Sequence, residues 1–236
     1  MIPHTYELAN HVLTLGMDVR WRRAAARAAV RGDEKVCLDV CTGTGEMAFL
    51  LRRLVPSSCS VIGVDFSHRM LRQAIRARGG TPMAWTCAAL PALPFPSGIA
   101  DLATVSFATR NLRLSRESLA EAFAEIRRVL RPGGRLVVLE TSQPRHRLVR
   151  QLFHLYVRLA VHPLGALVSG TSSPYAYLAR TILRFPHASD LAAVMHDAGF
   201  GPIEFRLLLG GVVAVHLAHR GERGDAPDPE GSPATG

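Results

Sequence analysis

Lysine is nearly absent: Lys35 is the only one, so the formal net charge of +9 is carried almost wholly by arginine. That excess points to an anionic partner, whether nucleic acid, a phospholipid surface or an acidic ligand, although a generally basic surface without a partner reads the same way. Aromatic residues are not interleaved with the arginines, which speaks against a single-stranded nucleic-acid track. Cysteine is sparse as well. Cys37, Cys41, Cys59 and Cys87 form no C-x-x-C pair and lie in or beside apolar strand patterns. Buried free thiols in a reducing compartment, the cytoplasm, are therefore expected rather than zinc or disulfides. No run approaches the roughly 18 apolar residues needed to span a bilayer, and Pro3, His4 and Glu7 break any signal-peptide pattern.

What is present has the content of a folded α/β domain: 236 residues, 48% hydrophobic and 20% charged, enough for a sizeable core. One domain is expected over residues 1–220. Residues 5–31 read as helical, with Thr5 as cap, a break at Gly16 and an end at Gly32-Asp33. Strands are expected at Lys35–Cys41, Cys59–Asp65, Met83–Ala88, Leu102–Phe107 and Arg135–Glu140. Helices fall between them: Glu46 to about Val55, His68–Arg78 behind the cap Ser67 and stopped by Gly79-Gly80, and a helix to Leu130 behind the cap Ser115. Residues 90–96 are too proline-rich for regular structure, and Pro132-Gly133-Gly134 is expected to turn the chain into the fifth strand. Strands alternating with helices predict a mostly parallel, doubly wound α/β sheet. A helical lid insertion follows at about 145–187, with Arg147, Arg150, His154 and Arg158 sharing one face. A helix at Ser189–Ala198 comes next. Two last strands, Ile203–Leu209 and Val212–Ala218, then flank Gly210-Gly211 as an antiparallel hairpin. The tail at residues 221–236 is expected to be disordered.

Residues 36–46 carry the strongest local signal. A strand-type run, Val36–Val40, leads into Gly43 and Gly45, and a helical pattern begins at Glu46. Glycines let a ligand approach the backbone, and a helix start offers unpaired N–H groups. Gly43, Gly45 and Ala48 satisfy the dinucleotide fingerprint, with Asp65 about 20 residues on for a ribose. Both NAD and S-adenosylmethionine (SAM) fit that much. Asp39 favours SAM, since a carboxylate at the mouth of the loop repels a pyrophosphate and attracts an ammonium and a sulfonium. Capping the turn or the next helix is the alternative role for Asp39.

Further motifs stand around this loop in order: Tyr6, Asn10, Gly16 and Trp21-Arg22; Leu38–Gly45; Gly63–Ser67 with Met70-Leu71; Leu93–Pro96 with Asp101; Val105-Ser106-Phe107 with Arg110-Asn111; Arg128–Arg135; Leu139-Glu140 with Ser142 and Pro144; Tyr175-Ala176-Tyr177-Leu178 with Ile182 and Phe185-Pro186; and Ala198-Gly199-Phe200. Over about Tyr6 to His219 the chain resembles the quinone C-methyltransferases of menaquinone and ubiquinone biosynthesis, within the class I SAM-dependent methyltransferases. The glycine loop and the Pro-Gly-Gly turn identify only the class. Arg110-Asn111 and Tyr175-Ala-Tyr177-Leu178 are the specific elements.

The resemblance implies a Rossmann-like fold, SAM as cofactor, no metal, and methylation of a ring carbon of a prenylated hydroquinone, in the first instance demethylmenaquinol. Thr44 and the glycines Gly43 and Gly45 would meet the methionine part of SAM, beside Asp39. Asp65 would take the ribose hydroxyls, with Phe66 next to it, and Ser106 would lie beside the cofactor. Ala89 and Leu90 would face the adenine. The family usually has Asp or Asn where Ala89 stands, so only the Leu90 N–H serves the ring there. Arg110 and Asn111 would face the acceptor, Arg110 stabilising a phenolate or orienting a water; a salt bridge to Asp101 or Glu140 is its structural alternative. Tyr177, with Tyr175, would line the ring pocket or pack in the core, and His154 and His162 are read as structural or solvated. The lid would cover the prenyl tail and rest on the anionic inner face of a membrane, and a homodimer is compatible with all of this. Two other readings are open: a methyltransferase of the same fold with another small aromatic or lipid acceptor, and a non-catalytic subunit of a quinone-pathway assembly. No Asn/Asp-Pro-Pro-aromatic element follows the fourth strand, which disfavours nucleic-acid methylation.

Overall fold

The computed structural model describes residues 11–77, 83–112, 115–161 and 173–221, with backbone alone for Asn111 and residues 173–177. The expected helix start at residues 5–10, the stop at Gly79-Gly80, His162 and the tail beyond Gly221 lie outside the described residues.

Apolar runs and glycine turns build a seven-stranded sheet from β1 (Val36–Val40), β2 (Ser60–Asp65), β3 (Ala84–Cys87), β4 (Ala100–Ser106), β5 (Leu130–Thr141), β6 (Ile203–Leu208) and β7 (Val213–His219). Its order is β3-β2-β1-β4-β5-β7-β6. The first five strands are parallel, while β7 runs antiparallel between β5 and β6. Central strands of such a sheet are covered on both faces and so lack alternation. Accordingly β4 is buried from Ala100 through Val105.

Helices cover the faces: α1 (Met17–Ala29), α2 (Glu46–Leu54), α3 (His68–Ala77), the single turn α4 (Thr109–Leu112), α5 (Arg116–Val129), α6 (Arg147–Tyr156), α7 (Ser173–Leu183) and α8 (Ala188–Asp197). The predicted caps are in place. Ser115 accepts from Ser118 N–H, and the Ser118 hydroxyl accepts from Ser115 N–H in return; Ser67 accepts from Met70 N–H. Leu119, Phe123 and Ile126 of α5 sit at helical spacing and are fully buried against β4 and β5, each contributing about 1.5–3 kcal/mol. The break expected at Gly16 is present in the left-handed conformation, φ +71°.

Two expectations change. Pro132-Gly133-Gly134 does not precede the fifth strand; it bulges within it. Leu130 pairs with Ala100 and Arg135 with Leu102, so residues 131–134 loop out opposite Asp101. Gly133 takes φ +74°, and a Cβ on Gly134 would lie 2.7 Å from the Arg131 carbonyl. Asp101 fixes the bulge by accepting Arg131 Nε at 2.5 Å. The long helix expected from residue 145 is α-helical only to Tyr156 and continues as a wider π turn, Val157–Val161. Of the four free thiols, Cys37 and Cys59 are buried, whereas Cys87 is exposed.

Gly63 shows how tightly the sheet edge is packed. Trp85, its partner on β3, lies across it, and a Cβ there would stand 2.4 Å from the indole ring. Gly63→Ala is expected to cost about 1–3 kcal/mol through forced repacking, read as a lowered midpoint in urea denaturation.

Candidate functional site

β1 and β4 are neighbours, yet the chain leaves β1 toward β2 on one side and β4 toward β5 on the other. Ligands of open α/β sheets bind at such a switch point, beyond the carboxyl ends of the strands. A cavity of about 1120 Å³ lies there. Asp39, Gly43, Thr44, Asp65, Phe66, Ala89, Leu90, Ser106 and Arg110 all line it. Gly45 does not. It has φ +85°, and a Cβ on it would meet Trp85 at 2.7 Å and Phe49 at 2.9 Å, so it shapes the loop from behind.

Asp65 ties two loops together. One oxygen accepts from Gly43 N–H at 2.8 Å and the other from Ser67 N–H at 2.9 Å. Each oxygen keeps acceptor capacity for a hydroxyl. Ser106 offers a buried hydroxyl with no hydrogen-bond partner among the described residues. Such an orphan costs about 1–3 kcal/mol unless a ligand or water meets it, and this one sits on the cavity wall. The four non-glycine residues with left-handed backbone among the described residues, Leu15, Cys41, Phe107 and Leu209, also line this cavity. Strain of this kind gathers at ligand sites.

Asp39 is buried, and its bonds are those of a cap. It accepts from Thr104 Oγ1 at 2.7 Å, Thr42 Oγ1 at 2.5 Å and the N–H of Ala48, the third residue of α2, at 3.1 Å. Burial pushes its carboxyl up to about 6, against the pull of those bonds and of Arg22. A folded pKa above the unfolded value means that the native state holds the proton longer. This group's contribution to stability is therefore greatest below about pH 4 and declines as pH rises through 6. An amide can meet the same three partners, its oxygen accepting from Thr42 Oγ1 and the Ala48 N–H and its NH2 donating to Thr104 Oγ1. Asp39→Asn is expected to melt higher than the native chain at pH 8, with the gain shrinking as pH falls through 6 in thermal melts.

Beside this loop stands a cluster absent from the expected site. Arg22 Nη1 donates to Asp18 at 2.6 Å and to Glu46 at 2.9 Å, and His11 approaches both carboxylates at 2.7 and 3.5 Å. Burial would raise the Asp18 carboxyl, but bonds from His11 and Thr14 and the Arg22 charge leave it below its ordinary value. The ligand atoms of His11, Asp18 and Glu46 lie within 4.8 Å of one another, and the cation between the two acids is Arg22 itself. Its guanidinium stands 5.2 Å from the centre of the Phe107 ring. Asp18, Arg22 and Glu46 all line the cavity. The i, i+4 spacing of Asp18 and Arg22 on a helix was the available signal.

The opposite end is apolar. Leu13, Met17, Phe153, Val157, Leu178 and Ile182 close it, and the Tyr156 hydroxyl donates to the Leu13 carbonyl. Arg110, on α4 two residues after the turn from β4, lines the same cavity. Its Nη1 donates to Glu140 Oε1 at 3.1 Å. The other possible partner, Asp101, instead takes Arg131 and the N–H groups of Lys35 and Val36. Glu140 is fully buried and also accepts from Thr109 N–H at 3.0 Å, Thr109 Oγ1 at 2.8 Å and Thr141 N–H at 2.9 Å. It sets the Arg110 guanidinium without itself lining the cavity. The side chains of Asn111 and Tyr177 lie outside the described residues. His154 bonds Gln143 at 2.8 Å, in keeping with a structural role.

The polar end fits SAM: lone pairs on Asp65 for ribose hydroxyls, an unanswered Ser106 hydroxyl, and carboxylates for a cation. Solved structures of similar fold include human N-acetylserotonin methyltransferase in complex with SAM (TM-score 0.64, 16% identity, covering 94% of this chain and 57% of that one). A putative methyltransferase from Bacillus halodurans is another (TM-score 0.59, 17% identity, 85% and 98%). In sequence, the chain is 38% identical to the demethylmenaquinone methyltransferase of Thermus thermophilus over 91% of this chain and 96% of that protein. It is 33% identical to the ubiquinone/menaquinone biosynthesis C-methyltransferase UbiE of Geobacter sulfurreducens over 92% and 84%. The model of the ubiE/COQ5 methyltransferase family matches residues 1–220, and the chain belongs to that family.

Proposed function

We propose that this protein methylates a ring carbon of a prenylated hydroquinone, with demethylmenaquinol as acceptor and SAM as donor, at the inner face of an anionic membrane. One observation carries the reading: a single cavity is lined by the polar loop at the end of β1 and by the apolar side chains of Phe153, Val157, Leu178 and Ile182, with Arg110 also in its wall. At about 1120 Å³ it exceeds the roughly 300–1,000 Å³ of a pocket for one drug-sized ligand, so there is room for donor and acceptor together. The names of the similar proteins from Thermus and Geobacter agree with it.

When bound, SAM supplies an electrophilic methyl group. The work of the chain is to hold it, align the acceptor and make a ring carbon nucleophilic. Asp65 takes the ribose hydroxyls, Ser106 donates its free hydroxyl beside the cofactor, and Thr44 and Gly43 bound the methionine end. Phe66, Ala89 and Leu90 enclose the adenine. Asp39, ionised above about pH 6, adds negative charge near the sulfonium. An arginine is too weak an acid to serve as base at neutral pH. Arg110 therefore stabilises the phenolate left when the hydroxyl next to the target carbon gives its proton to water. The ring carbon takes the methyl group as the carbon–sulfur bond breaks, and the ring then sheds its own proton to water and becomes aromatic again. Alignment supplies much of the acceleration, and Asn111 and Tyr177 contribute to acceptor placement.

Calorimetric titration tests the donor half. Saturable binding of SAM at one site per chain is expected, weakened in Asp39→Asn, while no measurable affinity would overturn the reading.

A further inference from the structure

The helix over the apolar chamber presents a second apolar face to solvent. No residue of α6 is buried. Leu148, Leu152, Leu155 and Leu159 are 58%, 58%, 52% and 67% exposed. At about 100° per residue the first three fall within roughly 60° of one another, and Leu159 continues the row into the π turn. Val149, Phe153 and Val157 point the other way, into the cavity wall, and Leu152, at the edge of the row, also touches the cavity. Arg147, His154 and Arg158 flank the leucine row on its remaining side, with both arginines exposed.

The row does not end at the helix. Leu15, 83% exposed, and Leu209, 53% exposed, both line the cavity and both hold the strained left-handed backbone. The Leu15 segment is tied to α6 by the bond from Tyr156 to the Leu13 carbonyl. The Leu209 turn abuts it, since a Cβ on Gly210 would stand 3.1 Å from Val149. Exposed leucines thus ring the chamber's mouth. Charge is one-sided as well: between Glu140 and Asp190 the sequence holds no acidic residue but six arginines, Arg145, Arg147, Arg150, Arg158, Arg180 and Arg184. Among the described residues no helix is long and apolar enough to cross a membrane.

We infer that the leucine row of α6, with Leu15 and Leu209, is a docking surface for an anionic phospholipid bilayer, and that the acceptor passes from the bilayer into the chamber through this mouth without crossing water. An acidic protein partner would answer the arginines, but it would leave the leucine ring to an unspecified counterpart. A bilayer answers both, taking the leucines into its acyl boundary while its headgroups meet the guanidinium groups. The inference rests on the proposed reaction for the acceptor's identity and is independent of it for the surface.

The test uses the full chain with vesicles of phosphatidylcholine, with or without phosphatidylglycerol. Three leucines outside the cavity wall are changed together: Leu148→Asp, Leu155→Asp and Leu159→Asp. All are exposed, so the variant is expected to keep the native melting temperature. The native chain should sediment with the phosphatidylglycerol vesicles at low salt and much less with phosphatidylcholine alone. The triple variant should lose at least about tenfold in that binding and in turnover of a vesicle-embedded acceptor, with turnover of a short-tailed soluble acceptor unchanged. Equal sedimentation of variant and native chain overturns the inference, as does no sedimentation of the native chain. A variant altered only in oligomeric state would make the row an interface between chains, and also overturns it. If the soluble acceptor is not methylated by the native chain, the reaction fails while the vesicle result still decides the surface.

Discussion

Replacing Glu140 with alanine is expected to lower turnover by about 10²–10³-fold and to destabilise the fold by about 3–5 kcal/mol, while leaving SAM affinity unchanged. The reason lies in what this carboxylate holds. It is fully buried and accepts from Thr109, Arg110 and Thr141 at once. Its removal takes a negative partner from a guanidinium that is itself only 8% exposed and frees α4 to shift. Since Glu140 stands behind the cavity wall, the cofactor end does not sense the change. Glu140→Gln separates folding from function. Thr109 and Arg110 bond to different oxygens of the carboxylate, so the one amide oxygen accepts on one side only and the amide NH2 faces N–H donors on the other. The neutral, isosteric side chain should return part of the stability, while Arg110 is held less firmly and turnover stays low. Urea denaturation, calorimetry with SAM and steady-state turnover read the three quantities. A Glu140→Gln enzyme with native turnover would remove Arg110 placement from the account.

The opposite pattern is expected at Asp65. Asp65→Ala should raise the dissociation constant for SAM by about 10²–10³-fold, with a much smaller change in turnover at saturating SAM. One carboxylate clamps Gly43 and Ser67, so the alanine loses the ribose acceptor and lets both loops open. Charge-assisted bonds to a carboxylate are among the stronger kind, which is why a single substitution reaches that size. Calorimetry and the dependence of rate on SAM concentration measure it. Equal losses in turnover and affinity would place Asp65 at the reacting end instead.

These two residues also show what can be read without coordinates. Asp65 stands at the end of an apolar strand, about 20 residues after a glycine loop, and that spacing follows from βαβ geometry. The sheet and its C-terminal hairpin were likewise legible, because hydrophobic period and glycine breaks carry them. Glu140 was visible only as one of two possible partners for Arg110, since nothing local tells a buried acid which distant cation it meets. The Pro-Gly-Gly segment misled for a related reason. Its glycines announce a change of direction, but the bulge opposite Asp101 depends on register with β4. Asp18, Arg22 and Glu46 were missed because the contact joins α1 to the start of α2 across the loop. Gly45 looked like a ligand contact, and its backbone conformation is as expected, yet the space behind it belongs to Trp85 and Phe49.

The reaction proposed for this protein is carbon methylation of a prenylated hydroquinone. Its most direct test is anaerobic incubation of the purified chain with SAM labelled in the methyl group and reduced demethylmenaquinol, with the corresponding benzoquinol in parallel. Label is predicted in a ring-bound methyl of the naphthoquinol product, lost when Arg110 is replaced by alanine. Label in neither quinol, from a chain that binds SAM, would contradict the claim.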